Sequence, residues 1–496
     1  MGIIQKQTIK GTIYSYIGTL IGFINIGILS PVILSSAQIG LINLLVAISL
    51  IFAQFSSLGF NNVTTKLFTF FRDDKNKHHG FLFIALTVAM VGFSLSAIIF
   101  FVVQPYLIAQ NIEKSPLFTE YIYYLLPLIF FTLIFNILDN YNKVLYDAVL
   151  GTFLKEIVFR ILNTLIIVIY FLKLIDFSVF VFAYISALCL PAVIISIILM
   201  VRGQFSLRPQ LDFSSKELKK TMKSVSFFGI IAGFSGILAM NIDKYMVNSM
   251  IDLKATGIYS ITFYFGALIM IPSRTLIKIS SVIIADAWKT NDTKTISAIY
   301  YKSTLNQFII ALLIFFGIWV NINNIFDFLP KEYIAGKYVI FFIGLANLLN
   351  MLSGVSGAII VNSKYYKIQT FFIAIFAALI IITNYIFIPI WGLTGAAIAS
   401  ALSVLLFAIM RYFLLYKKFK MQPYNKNHLI ALLIGLFAYF ISYIIPEFHN
   451  FIIDIIIRSS VITLIFVSLI FVSKISEDIN SKIIDIQEHI KGKILF

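Results

Sequence analysis

Six charged side chains, Lys66, Arg160, Asp243, Lys244, Arg274 and Lys278, stand within or at the ends of otherwise apolar runs of this chain. Arg160 follows Glu156 by four residues, the spacing of an ion pair on one helix face. Arg274 and Lys278 lie one turn apart beside Pro272. Cations gathered at one depth suit a diphosphate, which needs several charged donors, with Arg offering a planar fork and Lys a point charge. Each of them is as well placed to snorkel toward headgroups. Asp243 and Lys244 are neighbours in sequence, so on a helix they point in different directions and do not neutralise each other. They read as a coupling or gate pair, or as a sign that their helix ends early at the outer surface. Asn25 and Gln54 are candidate ligands for sugar hydroxyls, and Asn136, Asn163, Asn306, Gln307, Asn347, Asn350 and Asn384 add further amides. Amides in such places also join helix to helix. The five histidines, His78, His79, His428, His449 and His489, fall in loops or the tail without metal-ligand spacing and read as solvated. A lone Cys189 excludes an intramolecular disulfide. With no paired acids beside a nucleophile and no glycine-rich phosphate loop, no catalytic residue, metal or cofactor is expected and the chain reads as a non-enzyme.

The elements that must position these residues follow from composition. Of 496 residues, 60% are hydrophobic and 12% charged, with a mean hydropathy of +0.96. Such a chain is an integral membrane protein, and continuous apolar runs without alternation make it all-α. The runs give 14 spans, centred near residues 23, 52, 92, 130, 164, 189, 237, 268, 313, 350, 380, 404, 437 and 463. Of 38 Lys and Arg, 31 fall at the N-terminus, in every second gap and in the tail; Lys114, Lys173, Lys244, Lys254, Lys331, Lys337 and Arg458 are the others. By the positive-inside rule both termini are cytoplasmic. The net charge of +16 is then orientation and contact with anionic membrane lipid, with no nucleic-acid role. The first apolar run, Gly11 to Leu34, is too long for a signal-peptide core and is expected to remain as span 1.

The polar stretch from Arg202 to Lys223 comes after six spans. The expected organisation is an N-terminal lobe of spans 1–6 (1–201), a cytoplasmic linker (202–223), a C-terminal lobe of spans 7–12 (224–416), appended spans 13 and 14 (417–474) and a cytoplasmic amphipathic tail (475–496). Because six is even, the two lobes start on the same side, which makes their repeat parallel, a pseudo-twofold along the membrane normal. Gly22, Phe23 followed by Ala37, Gln38, Ile39, Gly40 has a weak echo in Gly233, Phe234 followed by Ala255, Thr256, Gly257, Ile258. Ser214 with Glu217 matches a capping box, and Leu218, Met222 and Val225 follow at helical spacing. In the tail, Ile475, Ile479, Ile483, Ile486, Ile490 and Ile494 share one helix face, which is expected to lie on the inner leaflet or pack beneath the bundle.

Lys364, Tyr365, Tyr366, Lys367, followed by Asn384, Tyr385, Ile388, Pro389, Trp391, Gly392, Leu393, Gly395, Ala396, Ala397, Ile398 and Ala399, resembles the span 10–12 region of bacterial polysaccharide flippases. Asp243, Lys244, Tyr245, Met246 and then Gly257, Ile258, Tyr259, Ser260 resembles their span 7–8 passage. These flippases belong to the multidrug, oligosaccharidyl-lipid and polysaccharide (MOP) exporter superfamily. The resemblance implies two six-helix lobes around a cavity that opens alternately to either side of the bacterial inner membrane. The implied cargo is an undecaprenyl-diphosphate-linked oligosaccharide, moved to the outer leaflet for O-antigen, capsule or exopolysaccharide assembly. Polysaccharide-assembly proteins are implied partners, a monomer the expected state, and a coupling ion, H+ or Na+, is left open. Drug-extruding relatives carry an acid in helix 1, and peptidoglycan-precursor flippases carry arginines in helices 1 and 2; Gly11 to Leu34 has neither. A cation-coupled multidrug or small-molecule antiporter is the alternative reading, and a membrane polysaccharide polymerase the third.

Overall fold

The computed structural model describes residues 3–210, 213 and 215–494, with side chains placed for all of these except 3–6, 8, 9, 274, 275, 486, 487 and 489–494. Among them every regular element is a helix, as hydrocarbon requires of a backbone that must satisfy its own N–H and C=O groups. Twelve stretches are long and apolar enough to cross a membrane. The 14 expected differ from these at two identifiable places. One stretch, Tyr366–Phe419, is 54 residues long and is broken at Gly392 (φ 57°, ψ −131°), a conformation that glycine alone adopts without strain. It therefore holds the length of two spans. The other place is the run through Val149–Phe153, the π-helical turn Leu154–Val158 and Phe159–Phe171, in which Lys155, Glu156 and Arg160 lower the apolarity.

Packing divides the chain into two compact units, Met1–Ile261 with Ile373–Tyr385, and Thr262–Phe372 with Ile386–Phe496. This division does not coincide with the grouping by span number, because the helix expected to open the second lobe, Lys216–Met250, packs within the first unit.

In the first unit, α1 (Ile3–Phe23) continues through a π-helical segment, Ile24–Leu29. Next come α2 (Ser36–Ser56), α3 (Phe60–Leu67), α4 (Phe81–Asn111), α5 (Leu125–Val144), α6 (Phe159–Phe171), α7 (Phe177–Val201), α8 (Lys216–Met250) and the first part of α9 (Leu253–Ala267). Ser35 and Gln38 cap α2 reciprocally, with Ser35 N–H donating to Gln38 Oε1 at 2.9 Å. Small residues let these helices approach backbone to backbone. A Cβ on Gly92 would run into the Ser56 carbonyl, and one on Gly257 into the Ser36 carbonyl. Ser56 and Ser96 share a hydrogen bond of 2.6 Å at the same crossing.

Three sequence expectations are corrected in this unit. Lys66 does not end span 2: α2 stops at Ser56, Gly59 adopts φ 71°, and Lys66 lies in the last turn of the separate α3. The cap of α8 is Ser215, which accepts from Leu218 N–H at 3.1 Å; Ser214 lies outside the described residues. Leu218, Met222 and Val225 do pack on the apolar core, as their spacing predicts. His78 is not solvated. It is 1% exposed, bonded to Gln204 Oε1 at 2.8 Å and packed on Phe68, because the left-handed turn Lys77–Gly80 directs it inward.

In the second unit, α9 ends, and Pro272 precedes α10 (Ser273–Lys289), so Lys278 belongs to a helix distinct from span 8. Then come α11 (Thr293–Val320), α12 (Lys337–Leu352), α13 (Ser356–Val361), the outer parts of α14 (Tyr366–Phe419), α15 (Lys426–Ile444), α16 (Phe451–Ser473) and α17 (Glu477–Ile494). His428 is buried too, its Nε2 3.2 Å from Thr304 Oγ1. In α14, Gly395 passes so close to the Phe387 carbonyl that a Cβ would overlap it. The Pro389 to Gly395 motif is thus the tight turn that joins two spans without a loop.

Asp454 and Arg458 of α16 form a buried pair, Nε to Oδ2 2.7 Å, with neither more than 4% exposed. Arg458 also donates to the carbonyls of Ser442 (3.2 Å) and Ile445 (2.8 Å), and Asp454 accepts from Asn324 Nδ2 (2.5 Å). The tail begins docked: Ile475 is buried, Ile479 packs on the core of this unit and Ile483 is half-buried. Ile486, Ile490 and Ile494 lie outside the described side chains. Asp478 accepts from Lys302 Nζ (2.9 Å) and Asn306 Nδ2 (2.9 Å).

Two outcomes are expected. Arg458→Met leaves a buried carboxylate uncompensated and should cost about 3–5 kcal/mol in detergent unfolding, while the double variant with Asp454→Leu should recover most of it. The hydrogen bond from Lys302, opposed by partial burial and aided by Asn306, holds the Asp478 carboxyl below the usual range. Its contribution is therefore present above the unfolded value near about 4 and lost as pH falls through the folded one. The pair is half-exposed, so the effect on global stability is small; the hydrogen-exchange protection factors of Glu477–Ile494, corrected for the intrinsic rate at each pH, should fall below about pH 4 and stay flat above about pH 5.

Candidate functional site

The first unit buries a carboxylate. Asp243 is 5% exposed; its Oδ1 accepts from Asn384 Nδ2 at 2.6 Å and its Oδ2 from the Tyr259 hydroxyl at 3.0 Å. Three helices supply the cluster, α8, α9 and the middle of α14. Local sequence explains the approach: Gly257 brings α9 against α2, and Ala239 packs with Ala377 and Ile380 where α8 meets α14. Asn384 is fully buried and its Oδ1 has no partner. An acceptor without a donor thus lies next to the carboxylate. α8 runs on to Met250, so the reading in which the helix ends early is overturned. Asp243 and Lys244 face different partners, as adjacent positions on a helix must. Lys244 Nζ donates to Asn43 Oδ1 at 3.2 Å.

Asn43 also lines a cavity of about 60 Å³ with Ser30, Asn163 and Tyr184, room for a few waters. Asn163 Oδ1 is buried there without a partner. The Lys244 ammonium thus connects the carboxylate's helix to a small amide-lined chamber.

Arg160 sits in a network of its own. Its Nη2 is 2.6 Å from Glu156 Oε2, the i,i+4 pair predicted by spacing, and its Nη1 donates to the Gly18 carbonyl. Asn25 Nδ2 donates to Arg160 O at 2.9 Å and Thr164 Oγ1 to Asn25 Oδ1 at 2.8 Å. Glycines make the space: a Cβ on Gly22 would fall inside the guanidinium, and one on Gly18 would meet Glu156. The π-helical turns Ile24–Leu29 and Leu154–Val158 border this network, and such turns shift side chains around the helix axis. Asn25 is 1% exposed and here joins helix to helix. A phosphate at Arg160 would have to compete with Glu156.

The remaining candidates are scattered. Gln54 is half-buried against Gly233, with Ser57 Oγ at 3.5 Å. Lys66 in the first unit and Lys278 in the second are exposed. Arg274 lies in α10, but its side chain is outside the described ones. Sequence reasoning named Tyr259 only as a motif residue and Asn384 as a motif residue and one of the span amides, and omitted Asn43. Their signal was present, since polar residues on three apolar helices must find each other in the membrane. Which of them pair is not readable from spacing.

A family of sequences described as polysaccharide biosynthesis proteins matches residues 5–284, more than half of the chain. A search of curated proteins finds no match. Among solved structures, the lipid II flippase MurJ in an inward closed conformation is similar with a TM-score of 0.71 at 14% identity, covering 94% of this chain and 99% of that one. An inward-facing multidrug resistance MATE family transporter of the MOP superfamily has a TM-score of 0.63 at 12% identity, covering 81% and 93%. At these identities the likeness is one of fold, and it extends over nearly the whole chain. The all-helical architecture is that of the MOP superfamily, and by its sequence match this chain belongs to the polysaccharide biosynthesis protein family.

Proposed function

We propose that the protein is a flippase that moves an undecaprenyl-diphosphate-linked oligosaccharide from the inner to the outer leaflet of a bacterial cytoplasmic membrane by alternating access. It is read as non-enzymatic, with both termini cytoplasmic. The observation that carries the reading is the buried Asp243, clasped by Asn384 and Tyr259, in a family of polysaccharide biosynthesis proteins. A carboxylate at this depth has a cost, and a transport cycle gives it a use. H+ or Na+ entering beside Asn384 Oδ1 would neutralise Asp243 and weaken its hold on Tyr259 and Asn384, freeing α8, α9 and α14 to shift. Asp243 with Lys244 is thus the coupling and gate pair of this reading. Arg160 and Arg274, with Lys66 and Lys278, are the proposed contacts for the diphosphate, and Asn25 and Gln54 for polar parts of the cargo. The 1–201 and 224–416 groups of spans are the proposed lobes, related by a parallel repeat. Asp243 would serve a cation-coupled small-molecule antiporter equally well, so the cargo assay separates the two.

Asp243→Asn keeps the hydrogen-bonding shape and removes the charge, so surface polysaccharide at matched protein abundance should fall at least about tenfold and lose its dependence on ion gradient. Tyr259→Phe removes one hydrogen bond to a charged group and should reduce export less. Undiminished export by Asp243→Asn rejects the coupling role; normal polysaccharide in a knockout, with lost drug resistance, transfers the assignment to the antiporter. Arg160→Ala and Arg274→Ala should each impair export, and Arg274→Lys less than Arg274→Ala; full export by both Ala variants would return these residues to snorkelling. A cysteine placed at Lys420 should resist labelling from outside intact cells.

A further inference from the structure

Two arginines with placed side chains lie inside the spans of the second unit, and they are treated in opposite ways. Every nitrogen of Arg458 has an acceptor, the carboxylate of Asp454 among them. Arg411, in α14, has a buried Nε with no hydrogen-bond partner, and among the described residues no carboxylate pairs with it. Its Cζ lies 3.8 Å from the centroid of the Phe407 ring, which answers the charge but takes no N–H bond along the guanidinium plane. Arg411 is half-buried as a whole, but a guanidinium Nε withdrawn from water and unanswered is costly unless something accepts from it.

Its surroundings are also short of acceptors. The hydroxyls of Tyr300, 1% exposed, and Ser356, 1% exposed, are buried without partners. Tyr300, Val355 and Leu415, which lies one turn beyond Arg411, belong to one packed cluster, and the Tyr300 phenol is within electrostatic reach of the guanidinium. The Tyr424 hydroxyl alongside donates to Leu352 O at 3.4 Å and is close enough to interact with the Tyr300 phenol. Space is kept by Gly357, next to Ser356: a Cβ there would press to 3.2 Å from Arg411 Nη2. Arg411 is on the opposite side of α14 from the exposed stripe Leu405, Ile409, Phe413 and Tyr416, so it faces protein. Lys417, six residues on, opens the basic end of α14 about 9 Å away along the axis, within reach of the headgroup zone.

We infer that Arg411, Tyr300 and Ser356 form a site for a phosphate-type oxyanion. All three can donate, the guanidinium supplies a fork that matches two phosphate oxygens, and the missing component of the cluster is an acceptor bearing negative charge. The phosphate is that of an anionic lipid headgroup or a free phosphate, and the site stands whether or not the transport reading holds.

The test uses the full-length protein in nanodiscs of phosphatidylcholine, titrated with inorganic phosphate and, separately, with dihexanoylphosphatidylglycerol, reading the thermal midpoint and a binding isotherm. Saturable binding with a rise in midpoint is expected for at least one probe. Response to inorganic phosphate assigns a soluble ligand; response to the lipid probe alone assigns a headgroup. Arg411→Gln should weaken that binding at least about tenfold, Arg411→Lys and Tyr300→Phe by less. Without ligand, Arg411→Gln should unfold no lower than the native protein, whereas Arg458→Gln should unfold lower. Absence of saturable binding of either probe to the native protein overturns the site, as does native affinity in Arg411→Gln. Should Arg411→Gln fail to fold, unchanged affinity in both Arg411→Lys and Tyr300→Phe overturns it.

Discussion

The absence of water around the spans is the constraint on which the rest of the structure depends. A polar group in hydrocarbon must be answered by the protein itself, so each buried side chain with an N–H, hydroxyl or carboxylate implies a partner. The helical backbone meets this requirement for itself. Where it departs from regular helix it does so with local remedies: Gly392 at a break that needs positive φ, and π-helical turns around Gly18, Asn25 and Arg160. The strained run Lys77, His78, His79 and Gly80, all at positive φ, lies before α4 and is held from outside, by Gly203 O accepting from Lys77 and Gln204 from His78.

The same requirement explains what the sequence made legible. Continuous apolar runs can only be spans, so fold class and approximate span number follow from composition; the two stretches missing from the apolar count are those where a glycine break joins two spans and where three charges interrupt one. Pairs along one helix are readable as well, because geometry fixes them. Glu156 with Arg160 and Asp454 with Arg458 are i,i+4 pairs, and both form. Pairs between helices are not readable in this way. Asn384 lies 141 residues from Asp243 and Asn43 lies 201 from Lys244, separations that no spacing rule covers. The burial of Arg411 is unreadable from sequence for a related reason. The residue lies close enough to Lys417, Lys418 and Lys420 to be counted as part of a basic loop, while the helix continues to Phe419 and carries Arg411 into a packed cluster.

The glycines carry information of another kind. In the motif around Pro389 to Gly395, Gly392 supplies the conformation and Gly395 the close approach. The motif is therefore a statement about how two spans turn, and says nothing directly about cargo. Gly40 and Gly257, where weak internal similarity was noted, are likewise contact glycines, each facing the other's helix backbone. Solved structures at 12% and 14% identity agree in fold over most of the chain.

Two buried carboxylates, Asp454 and Asp243, are held by different kinds of contact. Asp454 is bound to a guanidinium and to Asn324, a complete arrangement in which a proton or metal ion would have to displace a buried cation. Asp243 accepts from an amide and a phenol, both neutral. These two donors orient the carboxylate from two different helices. The unpartnered Asn384 Oδ1 adds a second oxygen at the same place. A cation arriving there would contest the amide's present bond to Asp243, and because Asn384, Asp243 and Tyr259 come from three different helices, that local contest changes how three spans hold together. The clasp thus ties the state of one buried carboxylate to the packing of three helices.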